Sequence, residues 1–209
     1  RRIGRIVQEL RSYTRLSTTD LSETVDLCVV VRSAQTLLAN MLKKHTYHFS
    51  AAIPDRLPCI RGNRQRLEQV VINLIQNSCQ ALASPKKAIH VRLTHLPEQH
   101  CIQLQVEDEG VGVSAEALPR VLDPFFTTKR SEGGTGLGLA ISSKIVEEHG
   151  GTLDFQSTQG QGTVVTVTLP LPPEDQNYPS TKDGLIAAID EEMPSSRNKM
   201  KRIEDKLND

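Results

Sequence analysis

Apolar positions along the chain change period several times, and each change predicts an element. Over residues 1–16, Ile3, Ile6, Val7, Leu10 and Tyr13 recur at spacings of three and four, while Arg1, Arg5, Gln8, Glu9 and Arg11 fall off that stripe. That pattern predicts an amphipathic helix, ended by the Ser/Thr/Asp-rich stretch from Ser17 to Ser22, which reads as a linker. A short strand near Glu23–Asp26, a helix from Leu27 to Lys44 and a strand from His45 to Ile53 follow, with Pro54 and Pro58 as the stop. Asn63 fits the N-cap of a long helix in which Leu67, Val70, Val71, Leu74, Ser78 and Leu82 keep helical spacing up to Pro85. The period then drops to two. Ile89, Val91 and Leu93 alternate with polar residues, as do Ile102, Leu104 and Val106, so two strands are expected. Residues 110–138 are glycine-rich and lack a period beyond a short helix near Ser114–Val121. A helix over Leu137–His149, ended by Gly150-Gly151, precedes two last strands marked by Leu153/Phe155 and Val165/Val167/Leu169. The final strands read as antiparallel neighbours rather than βαβ units. The expected class is α+β, a two-layer sandwich whose mixed sheet carries helices on one face.

Composition narrows the function. The 209 residues carry 25 basic and 25 acidic side chains, and this zero balance argues against a nucleic-acid partner. The hydrophobic fraction of 37% is slightly low for a packed chain, so part of it is expected outside the core. No run approaches the length of a membrane span, and no signal peptide is visible. The first residue is Arg rather than Met, and a fragment or processed product is expected. Cys28, Cys59, Cys79 and Cys101 are far apart with no C-x-x-C pair, which reads as reduced thiols in a cytoplasmic domain rather than a disulfide or metal framework.

Four clusters carry the chemistry. Asn73, Asn77 and Gln80 fall at i, i+4 and i+7 of the long helix, either as a solvated face or as an amide row toward a ligand, with an Asn oxygen available to Mg2+. Asp108 shares parity with Ile102, Leu104 and Val106, so its carboxylate ends a strand on the buried face and needs a partner. A purine amino group would serve, although Asp108-Glu109-Gly110-Val111-Gly112 also reads as a capped tight turn. Pro124-Phe125-Phe126-Thr127-Thr128-Lys129-Arg130 offers an aromatic pair to anchor a mobile lid and two cations that either reach phosphates or are solvated. Gly133-Gly134-Thr135-Gly136-Leu137-Gly138-Leu139 leads into a helix, where free amides and the helix dipole suit an anion. It is neither a Walker A loop nor the G-x-G-x-x-G dinucleotide fingerprint.

In this order the clusters resemble the N, G1, F and G2 boxes of histidine-kinase catalytic domains, in the superfamily that also holds gyrase, Hsp90 and MutL. The resemblance covers Glu23 to Pro170 and includes the turn Gly160-Gln161-Gly162-Thr163; "NLIQNSCQAL" and "PFFTTK" look most like the nitrogen-regulation type of sensor kinase. It implies the Bergerat-type ATP-binding fold, with a flexible ATP lid from about Val113 to Thr135. The domain plan it implies is the end of a dimerisation-hairpin helix over 1–18 and the catalytic domain over 19–172; the polar tail over 173–209 lies outside the resemblance and reads as a flexible tail or a docking helix. ATP and Mg2+ are the implied cofactors. Asn77 would hold Mg2+ with Asn73 beside it, Asp108 would accept from adenine, and Gly110 and Gly112 would shape the purine pocket. Gly134, Thr135, Gly136, Leu137 and Gly138 would cradle phosphates, Lys129 would contact them from the lid, and Thr163 would close the adenine end. Gln80 departs from the charged residue many members carry there.

Where the superfamily's hydrolases carry a Glu as general base, this chain has Asn73, and an amide takes no proton at neutral pH. Transfer of the γ-phosphoryl to a histidine on a dimerisation domain, for relay to a response-regulator aspartate, is therefore expected over hydrolysis, with the parent protein a homodimer. The resemblance puts that histidine upstream of Arg1; His45, His48, His90, His95, His100 and His149 all lie outside residues 1–16. Two alternatives share the fold: a serine kinase of the anti-sigma type, and a nucleotide-binding regulatory module without phosphotransfer.

Overall fold

Side-chain caps start the first helix and the longest one where the sequence places them. The computed structural model describes residues 20–129 and 134–173; the expected helix over 1–16, the tail from residue 174, and Arg130 and Gly133 lie outside them. After strand β1 (Glu23–Val25), Asp26 Oδ1 accepts from the Cys28 and Val29 amides at 2.8 and 3.4 Å and opens α1 (Leu27–Leu37). Asn63 Oδ1 accepts from the Arg66 amide at 3.1 Å and opens α3 (Arg64–Ala81). Along α3, Leu67, Val70, Val71, Leu74, Ile75 and Ser78 form the buried stripe.

Three expectations are corrected between these helices. The helix anticipated through Lys44 breaks at Leu38 and resumes as α2 (Ala39–His45). His45 is therefore helical, its Nδ1 at 2.9 Å from the Met41 carbonyl, rather than part of a strand. The strand starts only at His48, as β2 (His48–Ala52), because Thr46 Oγ1 donates to the Lys87 carbonyl at 2.6 Å and the Tyr47 amide to Pro85. Residues 60–62, with no strand expected, form β3 (Ile60–Gly62), which pairs antiparallel with β1 and buries Val25 against Ile60.

The main sheet adds β4 (Ala88–Leu96), β5 (Cys101–Asp108), β6 (Thr152–Thr158) and β7 (Gly162–Pro170), in the order β2-β4-β5-β7-β6. Only β2 and β4 are parallel. Register aligns the apolar positions across the strands. Leu93, Leu104, Val167 and Leu153 form one row, and Val91, Val106, Val165 and Phe155 the next. Helices α1, α3 and α4 (Gly138–Glu148) contribute Val30, Leu74, Ile141 and Ile145 to the same core, while His90 and Arg92 on the opposite face are exposed. The result is the expected two-layer α+β arrangement. Between β5 and α4, the short helix anticipated near Ser114–Val121 is reduced to turns and one 3-10 turn, Leu118–Arg120.

Helices α3 and α4 run antiparallel and meet through polar contacts at both ends. At the far end, His149 is buried; its Nδ1–H donates to the Ile145 carbonyl at 2.7 Å and its Nε2 accepts from the Asn63 amide at 3.0 Å. That pairing defines the neutral tautomer. Burial, with the Arg66 charge, holds the His149 pKa below its ordinary value. Arg66 and Glu148 pair alongside at 2.5 Å. Among the described residues no helix is long and apolar enough to cross a membrane.

Candidate functional site

The sheet register delivers a carboxylate to the end of its apolar face. One rung beyond Val91–Val106–Val165, Ile89 is followed across the sheet by Asp108 and Thr163. Asp108 is only 5% exposed, and its Oδ1 accepts from the Gly110 amide at 2.9 Å. Burial raises its pKa above the usual carboxylate value, against hydrogen bonds from the Gly110 amide, the Ser78 hydroxyl and the Thr163 amide and the charge of Lys129. This acceptor forms one wall of a cavity of about 680 Å3, bounded by α3, the segment after β5 and the turn into α4.

Close backbone approaches shape the walls. Gly112 sits at φ +63°, and a Cβ there would lie 2.1 Å from the Thr158 carbonyl, so only glycine lets the chain pass under the end of β6. The Val113 amide then donates to Ser157 Oγ at 2.9 Å, and Ser157 Oγ lies 2.9 Å from Thr163 Oγ1. Gly110 packs behind Asp108, where a Cβ would meet Ala81 at 2.7 Å. On the lid side, the Phe125 amide donates to the Gly136 carbonyl and the Gly134 amide to the Lys129 carbonyl. Phe125 is 54% exposed, whereas Phe126 lines the cavity and stacks under Arg120 at 4.6 Å. Only Phe126 of the expected aromatic pair is thus packed.

The α3 side of the cavity is a row of amides, and Gln69 and Gln76 join the anticipated Asn73, Asn77 and Gln80. Asn73 Nδ2 donates at 3.3 Å to both the Gly138 carbonyl and Ser142 Oγ. Lys129 Nζ donates to the Asn77 carbonyl at 3.2 Å, which sets its charge between α3 and Asp108. Helix α4 has no side-chain cap at its start, so its first amides stay available. A Cβ on Gly138 would find nothing nearer than Asn73 Cγ at 3.9 Å. An open glycine, uncapped amides and a lysine suit a phosphate chain.

All the site residues expected from the sequence line this cavity except Gly110 and Leu137. Leu137 is a core residue, 1% exposed, whose amide turns to Thr135 Oγ1 at 3.4 Å. Gln69 was legible as the i−4 extension of the amide row; Ser78 and Ser142 gave no signal, being small residues on buried helix faces. Among the described residues no group of three or more His, Cys, Asp or Glu could hold a metal. The amide oxygens on α3 nevertheless fit Mg2+ delivered on phosphates, since that ion keeps waters and takes few protein ligands.

Comparison with known proteins bears on the family and the fold. Residues 62–173 match the family described as histidine kinase-, DNA gyrase B-, and HSP90-like ATPase. A Shewanella frigidimarina protein described as a sensor is 43% identical over 175 residues, covering 84% of this chain and 26% of its own length. The sensor histidine kinase ZraS of Escherichia coli K12 is 32% identical over 170 residues, covering 81% of this chain and 35% of its own. The nucleotide-free catalytic domain of histidine kinase ThkA superposes with a TM-score of 0.62 at 28% identity, covering 72% of this chain and 99% of that one. The chain thus spans only about a quarter to a third of the curated relatives quoted.

Proposed function

Since the chain belongs to the histidine kinase-, DNA gyrase B-, and HSP90-like ATPase family, we propose that it is the ATP-binding catalytic part of a two-component sensor histidine kinase. The observation that carries the nucleotide assignment is Asp108, a buried carboxylate walling a cavity whose other side is amides, glycines and a lysine. The adenine amino group donates to Asp108, with Gly112 and Thr163 closing that end. The triphosphate runs toward the first amides of α4, past Gly134, Thr135, Gly136 and Gly138, and Lys129 exchanges the Asn77 carbonyl for a phosphate oxygen. Asn77, with Asn73 beside it, would hold Mg2+ through amide oxygens, and that ion would neutralise phosphate charge when bound.

The chemistry follows from what the site lacks. Asn73 takes no proton, so water is poorly activated and a stronger nucleophile is favoured. A histidine imidazole nitrogen forms the new bond to the γ-phosphorus while the bond to the ADP oxygen breaks and ADP leaves with the electron pair. The cavity residues contribute orientation and fixed dipoles. In the parent protein, we place that histidine on a dimerisation domain of a homodimer, with a response-regulator aspartate as the next acceptor.

The test mixes this chain with radiolabelled ATP, Mg2+ and a separately prepared histidine-bearing dimerisation domain. Acid-labile, base-stable label on that domain is the expected result. Acid-stable label on a serine would replace this reading with a serine kinase, and nucleotide binding without transfer would replace it with a regulatory module.

A further inference from the structure

We propose that Ser142 is a positioning residue for Asn73, fixing which end of that amide faces the nucleotide cavity. The inference rests on the proposed nucleotide site and deepens it. Ser142 lies in the first turns of α4 and is 0% exposed, so its hydroxyl must find its partners within the protein. It donates to the Gly138 carbonyl at 2.9 Å, which commits its one hydrogen. What remains on Ser142 Oγ is acceptor capacity, and Asn73 Nδ2 uses it at 3.3 Å. The same Nδ2 donates to the Gly138 carbonyl at 3.3 Å, and a carbonyl can only accept.

Both neighbours on α4 therefore demand the NH2 end of Asn73. The flipped amide would press its Oδ1 against a carbonyl oxygen and a hydroxyl whose hydrogen is engaged elsewhere, leaving buried acceptors opposed. With the NH2 held, Oδ1 is turned away from α4, toward the cavity that Asn73 lines. One helical turn along the same face, Asn77 also lines the cavity. Asn73 then offers an acceptor, about 6 Å along α3 from Asn77, to a hydrated cation rather than a donor. Ser142 touches no ligand in this scheme; it acts through Asn73.

The test measures ATP binding to the 209-residue chain by calorimetry across a Mg2+ series, for wild type, Ser142→Ala, Asn73→Ala and the double variant. In Ser142→Ala the Mg2+ concentration for half-maximal enhancement is expected to rise about three- to tenfold, while Mg2+-free affinity stays within about twofold. Asn73→Ala is expected to show a similar rise, and adding Ser142→Ala to it to cost nothing further. Ser142→Cys keeps the volume with a weaker acceptor and is expected to shift the same way by less, so the result does not hang on one variant folding. An unchanged Mg2+ response in Ser142→Ala, or additive losses in the double variant, would overturn the positioning role and leave the nucleotide site standing. Wild-type ATP binding indifferent to Mg2+ would overturn both.

Discussion

The two ends of α4 are built from similar parts and behave oppositely. Each end sets a glycine against a polar side chain: at one end the last residue of β3 faces the residue that caps α4, and at the other the first residue of α4 faces α3. At the C-terminal end, Gly62 meets His149, and a Cβ on the glycine would lie 2.5 Å from the ring. At the N-terminal end, Gly138 meets Asn73, and the corresponding distance is 3.9 Å. His149 has both ring nitrogens engaged by backbone, whereas among the described residues Asn73 has only its NH2 engaged by protein partners. The closed end holds the helices together. The open end keeps an oxygen and a ring of amides for a ligand. A helix anchored firmly at one terminus can present an uncapped other terminus without the fold depending on it.

His149→Ala tests the closed end most severely. It strands the Asn63 amide and leaves a cavity, so unfolding in urea is expected to cost about 3 kcal/mol of stability, with ATP affinity of the folded protein little changed. Asp108→Asn tests the cavity side. ATP affinity by calorimetry is expected to fall about 10- to 100-fold, with the fold retained, because one acceptor oxygen becomes an NH2 that opposes a donor of the pocket or of the purine. Unaltered affinity would remove Asp108 from the adenine role.

The glycine pair sharpens the contrast directly. Gly62→Ala is expected to lose about 1–3 kcal/mol of stability from the clash with His149. Gly138→Ala should leave stability within about 1 kcal/mol or raise it through helix propensity, yet weaken ATP binding about tenfold. Equal stability losses in the two variants would erase the distinction between the ends. The smallest effect is a pH slope. Because the folded-state pKa of His149 lies below the ordinary 6.5, the unfolded chain takes up the proton first as pH falls through 6.5. Stability should then decline below pH 6.5, by at most about 1.4 kcal/mol per unit, and be flat on this account above it. The difference between wild type and His149→Ala, read from urea midpoints at pH 7.5 and 5.5, isolates that term.

Much of this arrangement was legible from spacing alone. The period of two in Ile89–Leu93 and Ile102–Val106 gave the register rows, and parity extended them to Asp108 on the buried face. Asn63 read as a cap because its side chain competes for a local amide, a contact of short range. What did not read out depends on tertiary partners. The late start of β2 follows from Thr46 reaching Lys87, 41 residues away. The β1–β3 pair joins strands too short to show a period. Within the site, the amide row was visible as helical spacing, but the orientation of Asn73 is set by Ser142, 69 residues downstream. Leu137 sits inside a glycine motif and still belongs to the core, because the residue before the helix points inward as its neighbours turn out.

The state of the cysteines has a practical consequence for watching the site move. Burial pushes the Cys28 and Cys79 thiols up to about 11, and Cys59 is raised for the same reason. Cys101 is buried as well. Thiolates are the species that alkylating dyes capture, so at neutral pH Cys28, Cys59 and Cys79 form a quiet background, and burial keeps Cys101 from the dye. Val111, half exposed on the cavity rim, offers the contrasting position. A Val111→Cys chain can take a single fluorophore there with every native cysteine left in place, giving an optical readout of cavity occupancy in otherwise unaltered protein.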